Sequence, residues 1–260
     1  MPERAVPLTA DLSNDRIARE APDGLRGAAL RDTRPGYGAT LARVETYFDK
    51  TATTTWERLT SDAPVSRIRE TVRQGRDRMR ALMLSRLPAD LRGARVLDAG
   101  CGAGQMTVEL AARGAEVVAV DISPALVDIA ELRLPPELRS QVTFTSGDML
   151  APTLGRFDHM VAMDSLIYYT AADIGAALAE LEPRVSGTTV FTVAPRTRLL
   201  MAMWYAGKLF PRSDRSPVMI PHDHARLARA LKAQGVRRML RPVERVTSGF
   251  YISQAMELRG

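Results

Sequence analysis

One short run, VLDAGCGAG at positions 96–104, constrains the fold of this chain more than any other feature. It begins as an apolar strand, reaches an acid at Asp98, and then places glycines at positions 100, 102 and 104. Glycine permits a sharp turn and lets a ligand approach the backbone where a Cβ would block it. The spacing G-x-G-x-G differs from the G-x-G-x-x-G of dinucleotide-binding folds. The run predicts a strand, a ligand-binding turn and a helix, although a plain tight turn would also fit the glycines alone.

Two further acids follow apolar strands in the same way. Asp121 ends the strand VVAV and can accept hydrogen bonds from ribose hydroxyls, while Ile122 can pack on an adenine ring. Asp148 follows the third strand, where it can accept from an adenine amino group, and Met149 can cover the ring. Asp98, at the entry to the glycine turn, can pair with the ammonium group of a methionine moiety. The predicted cofactor contacts are Asp98, Gly100, Gly102, Gly104, Asp121, Ile122, Asp148, Met149 and Met163.

Strands and helices alternate along the chain after Gly93. Strands are predicted at 95–99, 116–120, 142–146, 157–163 and 188–194, with helices between them and a closing hairpin at 236–246 and 249–258. This order predicts an α/β fold that is Rossmann-like, with a seven-stranded, mostly parallel sheet, an antiparallel last strand and helices on both faces. We divide the chain into a flexible tail (1–36), an N-terminal helical arm (37–92) and a core (93–260) that carries a lid insertion at 195–222.

The motifs of this core, VLDAGCGAG, VVAVDIS, SGDM and FDHMVAMDSL, resemble those of class I methyltransferases. The resemblance implies S-adenosylmethionine as methyl donor and S-adenosylhomocysteine as product. Outside the core, the chain resembles the magnesium-protoporphyrin IX methyltransferase family over residues 41–258. The segments that carry this second resemblance are ETYFDKTATTTWERL, SRIRETVRQGRDRM, VAMDSLIYY and FTVAPRTRLLMAMWYAGKLFPRSDRSP.

Membership of that family implies O-methylation of one propionate carboxylate of magnesium protoporphyrin IX, which gives the monomethyl ester in (bacterio)chlorophyll biosynthesis and photosynthesis. It also suggests contact with the magnesium chelatase. In relatives a histidine stands in the place of Tyr168 and a tyrosine near Thr60, so this sequence departs from the family pattern at both positions. A histidine-based mechanism is therefore in doubt here.

The insertion at 195–222 combines a run of flexible and aromatic apolar side chains with several arginines and a lysine. This mixture suits a flat macrocycle that carries carboxylates. A satellite core cluster and a membrane-surface patch are the alternatives. Arg76, beside Gly75 in an arginine-rich helix, is predicted to point into the mouth of the site, against the alternative of a solvated face. The predicted substrate contacts are Arg76, Arg196, Arg198, Trp204 and Arg212.

A propionate has a pKa of about 4.3, so it is ionised at neutral pH and needs no strong base. We expect hydroxyl groups to position it. The candidates for this catalytic role are Tyr168 and Tyr169, just after strand four, and Tyr47 on the arm. His222 and His224 give only a weak metal pattern, no metal is predicted, and Cys101 is interpreted as a small filler of the glycine turn.

Composition excludes several other classes. The longest apolar stretch is about nine residues, against roughly 20 for a membrane span, and no secretion signal is evident. A single cysteine suits a reducing compartment and hence a cytoplasmic protein, with peripheral contact at the inner membrane as an alternative. A net charge of +6 spread over this length does not by itself indicate nucleic acid. No nucleic-acid partner is expected. The open alternatives are methylation of another small amphiphile such as a quinone precursor, and a non-catalytic, cofactor-binding porphyrin carrier.

Overall fold

The computed structural model describes residues 37–47, 67–198, 200–201 and 219–260. Within them, seven strands form one sheet in the order β3-β2-β1-β4-β5-β7-β6. The strands are β1 (Arg95–Ala99), β2 (Glu116–Asp121), β3 (Val142–Ser146), β4 (His159–Ala162), β5 (Thr189–Val193), β6 (Met239–Ser248) and β7 (Tyr251–Arg259). The first five are parallel, and β7 runs antiparallel to both β5 and β6. The predicted fold class is confirmed.

In the described residues the sheet is accompanied by the α-helices α1 (Tyr37–Tyr47), α2 (Arg67–Leu84), α3 (Gln105–Ala112), α4 (Pro124–Arg133), α5 (Ala171–Leu181) and α6 (His224–Ala233). Short polar side chains fix where several of them begin. Ser123 accepts from a backbone N–H in the first turn of α4, Thr170 and Asp173 form a capping box on α5, and Asp223 caps α6. The helices therefore begin where the sequence places its capping residues.

Alternate residues of each central strand face opposite sides of the sheet, which explains the nearly unbroken apolar runs. On one side Leu97 and Phe191 are buried with residues of α1, α4, α5 and α6. On the other side Val96 and Val190 are buried with Met79 of α2 and with residues of α3. Covering both faces in this way leaves the carboxyl ends of the parallel strands as the edge where a ligand can reach the sheet.

The starts of β4 and β6 differ from the prediction because backbone groups bind other partners there. Strand β4 does not begin at Phe157, whose N–H donates to a carbonyl outside the sheet and which forms only an isolated bridge to Val185. Strand β6 begins at Met239 because the carboxylate of Glu182 accepts from the backbone N–H of Arg237 and of the next residue. Contacts with residues 182–185 thus set where both strands begin.

The predicted tail, 1–36, and most of the insertion, including Trp204 and Arg212, lie outside the described residues. The division of the chain into tail, arm and core stays a prediction. In the part of the chain that the structure describes, no helix is long and apolar enough to cross a membrane.

Candidate active site

A cavity of about 960 Å³, measured with its open mouth, lies at the carboxyl ends of β1, β2 and β4. This is where open α/β sheets bind ligands. Its lining is Tyr37, Leu41, Val44, Arg76, Arg80, Asp98, Gly100, Cys101, Gly102, Ala103, Gln105, Met106, Val120, Asp121, Ile122, Leu126, Gly147, Met149, Met163, Asp164, Ser165, Tyr168 and Tyr169. The structure therefore brings most of the predicted cofactor residues to one wall.

The glycine turn after β1 is held closely against its surroundings. Gly100 has φ +81°, and its N–H donates to the carbonyl of Val120 at 2.8 Å. A Cβ on Gly100 would lie 2.3 Å from the Cβ of Ser165. Gly102, at φ +54°, has open space on that side, and its N–H donates to Asp121 Oδ2 at 2.8 Å. Glycine is required at 100 by both space and backbone angle, and at 102 by the angle alone.

Asp98 is buried at the base of the cavity, with 1% of its surface exposed. Burial raises the pKa of its carboxyl to about 7, the hydrogen bond from Thr107 opposes that rise, and the charge of Asp121 adds to it. The Thr107 hydroxyl donates to Asp98 Oδ2 at 2.6 Å. A bound cation would favour the ionised carboxylate, as expected for an acid that meets an ammonium group.

Asp121 lies at the tip of β2, where backbone amides hold its carboxylate. Oδ2 accepts from Gly102 and Oδ1 accepts from the N–H of Ser123 at 3.0 Å. The cap of the following helix is Ser123 and not Asp121, so helix capping does not explain the acid. Ile122 lines the cavity beside it. The carboxylate is fixed at the position that the sequence predicts for a ribose partner.

Asp148 is placed differently from the other two acids. Its Oδ1 accepts from the Tyr37 hydroxyl at 2.8 Å and from the Leu150 N–H at 2.9 Å. Its neighbours Gly147 and Met149 line the cavity, whereas Asp148 and Gly104 are not among the described lining residues. The proposed contact of Asp148 with adenine stays a prediction.

Helix α1 supplies cavity residues that the sequence reasoning missed. Tyr37, Leu41 and Val44 all line the cavity. The Tyr37 ring stacks on Tyr169 with 5.1 Å between the ring centres. The spacing i, i+4, i+7 marks one helical face and could have identified these residues, but not what that face covers.

Tyr168 and Tyr169 follow β4 and line the cavity as predicted. Burial, with smaller contributions from nearby acids including Asp148, raises the pKa of Tyr169 far above its ordinary value. Its phenol therefore stays protonated at neutral pH and is unsuited to be a general base. The side chain of Tyr47, the third candidate, lies outside the described residues.

Arg76 of α2 lines the cavity as the sequence predicts, and its Nη1 donates to Asp164 Oδ2 at 2.9 Å. Asp164, directly after Met163, was not singled out from the sequence. No local pattern marks it, because its partners come from distant parts of the chain.

The two ends of the insertion meet beside β5. The backbone N–H of His222 donates to the carbonyl of Ala194 at 2.7 Å. The backbone N–H of Arg196 donates to the carbonyl of His222 at 2.9 Å. Arg196 and Arg198 are exposed and are not among the described lining residues. The insertion thus leaves and rejoins the core at the carboxyl end of β5, the same edge as the cavity.

The histidine and cysteine side chains are engaged or buried. His222 Nε2 is hydrogen-bonded to the carbonyl oxygen of Tyr169 at 3.0 Å. His224 Nε2 lies 3.3 Å from the carbonyl oxygen of Leu240. No group of three metal-ligating side chains occurs among the described residues. Cys101 is buried in the glycine turn, and burial raises the pKa of its thiol.

Comparisons with known proteins agree with this geometry. The family model "Magnesium-protoporphyrin IX methyltransferase C-terminus" matches residues 162–260, and a "Methyltransferase domain" model matches residues 96–185. A magnesium-protoporphyrin O-methyltransferase from Rhodobacter capsulatus is 60% identical over 224 residues, which is 86% of this chain and 98% of that protein. A chloroplastic magnesium protoporphyrin IX methyltransferase from Arabidopsis thaliana is 30% identical over 82% of this chain and 69% of its own length.

Among solved structures, magnesium protoporphyrin IX methyltransferase from Synechocystis PCC 6803 with bound SAH superposes with a TM-score of 0.69 at 27% identity. The match covers 84% of this chain and 99% of that one. A relative 60% identical over nearly its full length leaves no other assignment, and the chain belongs to the magnesium-protoporphyrin O-methyltransferase family.

Proposed function

We propose that this protein transfers the methyl group of S-adenosylmethionine to one propionate carboxylate of magnesium protoporphyrin IX, giving the monomethyl ester in (bacterio)chlorophyll biosynthesis. The observation that carries the proposal is one cavity that joins a glycine turn and two fixed acids, Asp98 and Asp121, to the buried tyrosines after β4. The glycine turn and the two acids suit an amino acid that carries a nucleoside. In this proposal the tyrosines contact the methyl acceptor.

The residues present fit the methyl donor. The glycine turn leaves backbone room that a Cβ at Gly102 would take up, and Asp98 is a buried acid that a cation would stabilise. In this proposal Asp98 holds the ammonium group, Asp121 the ribose, and Ile122 and Met149 the adenine ring. When bound, S-adenosylmethionine supplies an electrophilic methyl group, which the carboxylate oxygen takes while the bonding electrons stay on sulfur.

No proton has to leave the acceptor, since a propionate is ionised at neutral pH. The work of the protein is to align the reacting atoms and exclude water, which can contribute roughly 7–11 kcal/mol. Buried Tyr168 and Tyr169 suit this role: their phenols are hydrogen-bond donors that position an oxygen without removing its charge. Tyr47 is proposed as a third such group.

The proposal for Tyr168 predicts that Tyr168→Phe lowers kcat only severalfold and leaves the dissociation constant of S-adenosylhomocysteine unchanged. The phenyl ring keeps the packing, and only a positioning hydrogen bond is lost. Single-turnover kinetics and calorimetry measure the two effects. Complete loss of turnover in a folded, cofactor-binding variant would contradict positioning and indicate proton transfer.

We further propose that the insertion at 195–222 covers the macrocycle, with Trp204 on its apolar surface and Arg196, Arg198 and Arg212 on the propionate that does not react. The sequence also predicts Arg76 as an acceptor contact, but its position in the cavity wall suits a contact with the methyl donor equally well. Support comes from the anchoring of both ends of the insertion at the carboxyl end of β5.

The direct test is to incubate the purified protein with magnesium protoporphyrin IX and methyl-labelled S-adenosylmethionine. We expect one label per porphyrin, in an ester that alkali hydrolyses. Porphyrin binding without label transfer would indicate a carrier. Label transfer to a quinone precursor, with no binding of the porphyrin in an absorbance titration, would indicate the other substrate class.

Two finer associations belong to the proposal. The poorly water-soluble porphyrin favours a handover from the magnesium chelatase and a peripheral contact with the membrane surface. Co-purification with the chelatase subunits tests the first association. Sedimentation with vesicles of inner-membrane lipids, with and without the porphyrin, tests the second.

A further inference from the structure

A buried carboxylate in a constrained backbone conformation stands at the end of β4. Asp164 has φ +57°, the one positive value of a non-glycine residue in the described part of the chain. L-residues rarely adopt this region, and a residue held there indicates that its surroundings determine its conformation. Its side chain is 8% exposed and lines the cavity.

The donors around Asp164 come from distant parts of the chain. Arg76 Nη1 of α2 lies 2.9 Å from Oδ2, and the Tyr251 hydroxyl of β7 lies 3.1 Å from Oδ1. The hydroxyl of Thr192 in β5 lies 3.2 Å from Oδ1. The Asp164 N–H also donates to that Thr192 oxygen at 2.7 Å. One carboxylate thus links the helical arm to three strands at the cavity wall.

The turn at Asp164 also reaches the glycine loop. The next residue, Ser165, donates its hydroxyl to the carbonyl of Ala99 at 2.8 Å and lies against Gly100. Arg76 is therefore connected, through Asp164 and Ser165, to the turn that follows Asp98. The sheet order puts β4 beside β1 on the side away from β2 and β3.

That placement identifies which part of a ligand Arg76 faces. The acids and apolar residues expected to hold the nucleoside belong to β2 and β3, on the other side of the glycine turn. Asp98 supplies an anion for an ammonium group near the turn, and an amino acid carries a carboxylate next to its ammonium group. Arginine binds carboxylates in a fork of two hydrogen bonds, provided that its plane is fixed.

We propose that Asp164 is a positioning residue, which fixes the Arg76 guanidinium on the cavity wall to bind the carboxylate at the amino-acid end of the methyl donor. The inference rests on the proposed function for the identity of the donor. It assigns Arg76 to the cofactor and not to the porphyrin. The other hydrogen bonds to Asp164 keep its carboxylate in place, so the arginine is oriented before the ligand arrives.

The test compares two ligands that differ in the amino-acid part alone. S-adenosylhomocysteine carries it, and 5′-methylthioadenosine lacks it. Calorimetry on Arg76→Gln should show about tenfold or greater weakening for the first ligand and no change for the second, because a charge-assisted hydrogen-bonding pair is lost. Arg73→Gln, one turn earlier on α2 and paired with Glu70, is the matched control and should bind both ligands normally.

Asp164→Asn tests the positioning role. Asparagine tolerates the left-handed conformation, so the turn is kept while the charge that orients Arg76 is removed. We expect severalfold weaker binding of S-adenosylhomocysteine alone, and a double variant with Arg76→Gln that is no worse than Arg76→Gln itself. Should Asp164→Asn fail to fold, Arg76→Lys, which keeps the charge and loses the fork, must show the same ligand selectivity.

Three results would overturn the proposal. Equal weakening of both ligands by Asp164→Asn would indicate a purely structural residue, and additive effects in the double variant would separate Asp164 from Arg76. If Arg76→Gln binds S-adenosylhomocysteine normally and the porphyrin more weakly, Arg76 contacts the substrate and not the methyl donor. Ester formation by the unmodified protein is measured alongside, and its absence would refute the proposed function, not the assignment of Arg76.

Discussion

Burial favours the neutral form of the Asp98 carboxyl, whereas binding an ammonium group requires the ionised form. This opposition gives a quantitative prediction. Raising its pKa from 3.8 to about 7 means that the folded, ligand-free protein holds the proton about 4 kcal/mol more tightly than the unfolded chain does. The group is almost fully buried, so solvent screening does not reduce this figure much. The contribution of Asp98 to the free energy of unfolding should therefore fall progressively between about pH 4 and pH 7 and stay constant at higher pH.

Asp98→Asn removes the ionisable group and keeps an oxygen that accepts from Thr107. Relative to the unmodified protein, the ligand-free variant should gain about 3 kcal/mol between pH 5 and pH 8, because each pH unit up to pH 7 contributes about 1.4 kcal/mol. For a chain of this size that corresponds to roughly 6–12 °C in melting temperature. The same variant should bind S-adenosylhomocysteine at least tenfold more weakly, because the ammonium group loses its counter-charge.

Thermal melts at half-unit pH steps, together with calorimetry at pH 8, measure both effects. Asp128→Asn, on the exposed side of α4, is the control and should alter neither. The reasoning is refuted if Asp98→Asn shows no pH-dependent gain in stability, or if it gains stability and still binds S-adenosylhomocysteine with unchanged affinity.

Two further predictions compare matched pairs. Gly100→Ala should destabilise the fold by about 2 kcal/mol more than Gly102→Ala, as measured by urea titration. Both substitutions place alanine at a positive φ, but only the Cβ at position 100 would clash with Ser165. Equal losses would contradict the packing argument. Glu257→Gln should cost about 2 kcal/mol because the buried carboxylate accepts hydrogen bonds from Arg86 and Arg259. Glu116→Gln, on an exposed pair, should cost less than about 1 kcal/mol, and similar losses in the two variants would refute the distinction.

The sequence was most informative where chemistry follows directly on a strand. Asp98 and Asp121 each end an apolar run, so the pattern that predicts the strand also predicts which edge of the sheet the acid occupies. Seven strands with an antiparallel last strand were predicted because strands alternate with helices along the chain and a hairpin, whose two strands are antiparallel, closes it; the order of the strands in the sheet was not predicted.

Other features of the site depend on contacts that no local pattern contains. Tyr37 meets Asp148, and Tyr251 meets Asp164, across separations of about 90 residues or more. Asp164 itself has a positive φ, which glycine adopts readily and aspartate only occasionally, so the sequence does not mark the position. These contacts form only after the arm and the hairpin have packed on the sheet, and so they could not be predicted from the order of the strands.

The two ends of the cavity are therefore built in different ways. The end proposed for the nucleoside is formed at the tips of β1, β2 and β3, which are neighbours in the sheet. The other end needs α2 and β7, which lie before and after the strands that carry the motifs, to converge on Asp164. Substitutions in the hairpin that displace Tyr251 should consequently weaken ligand binding although they touch no ligand.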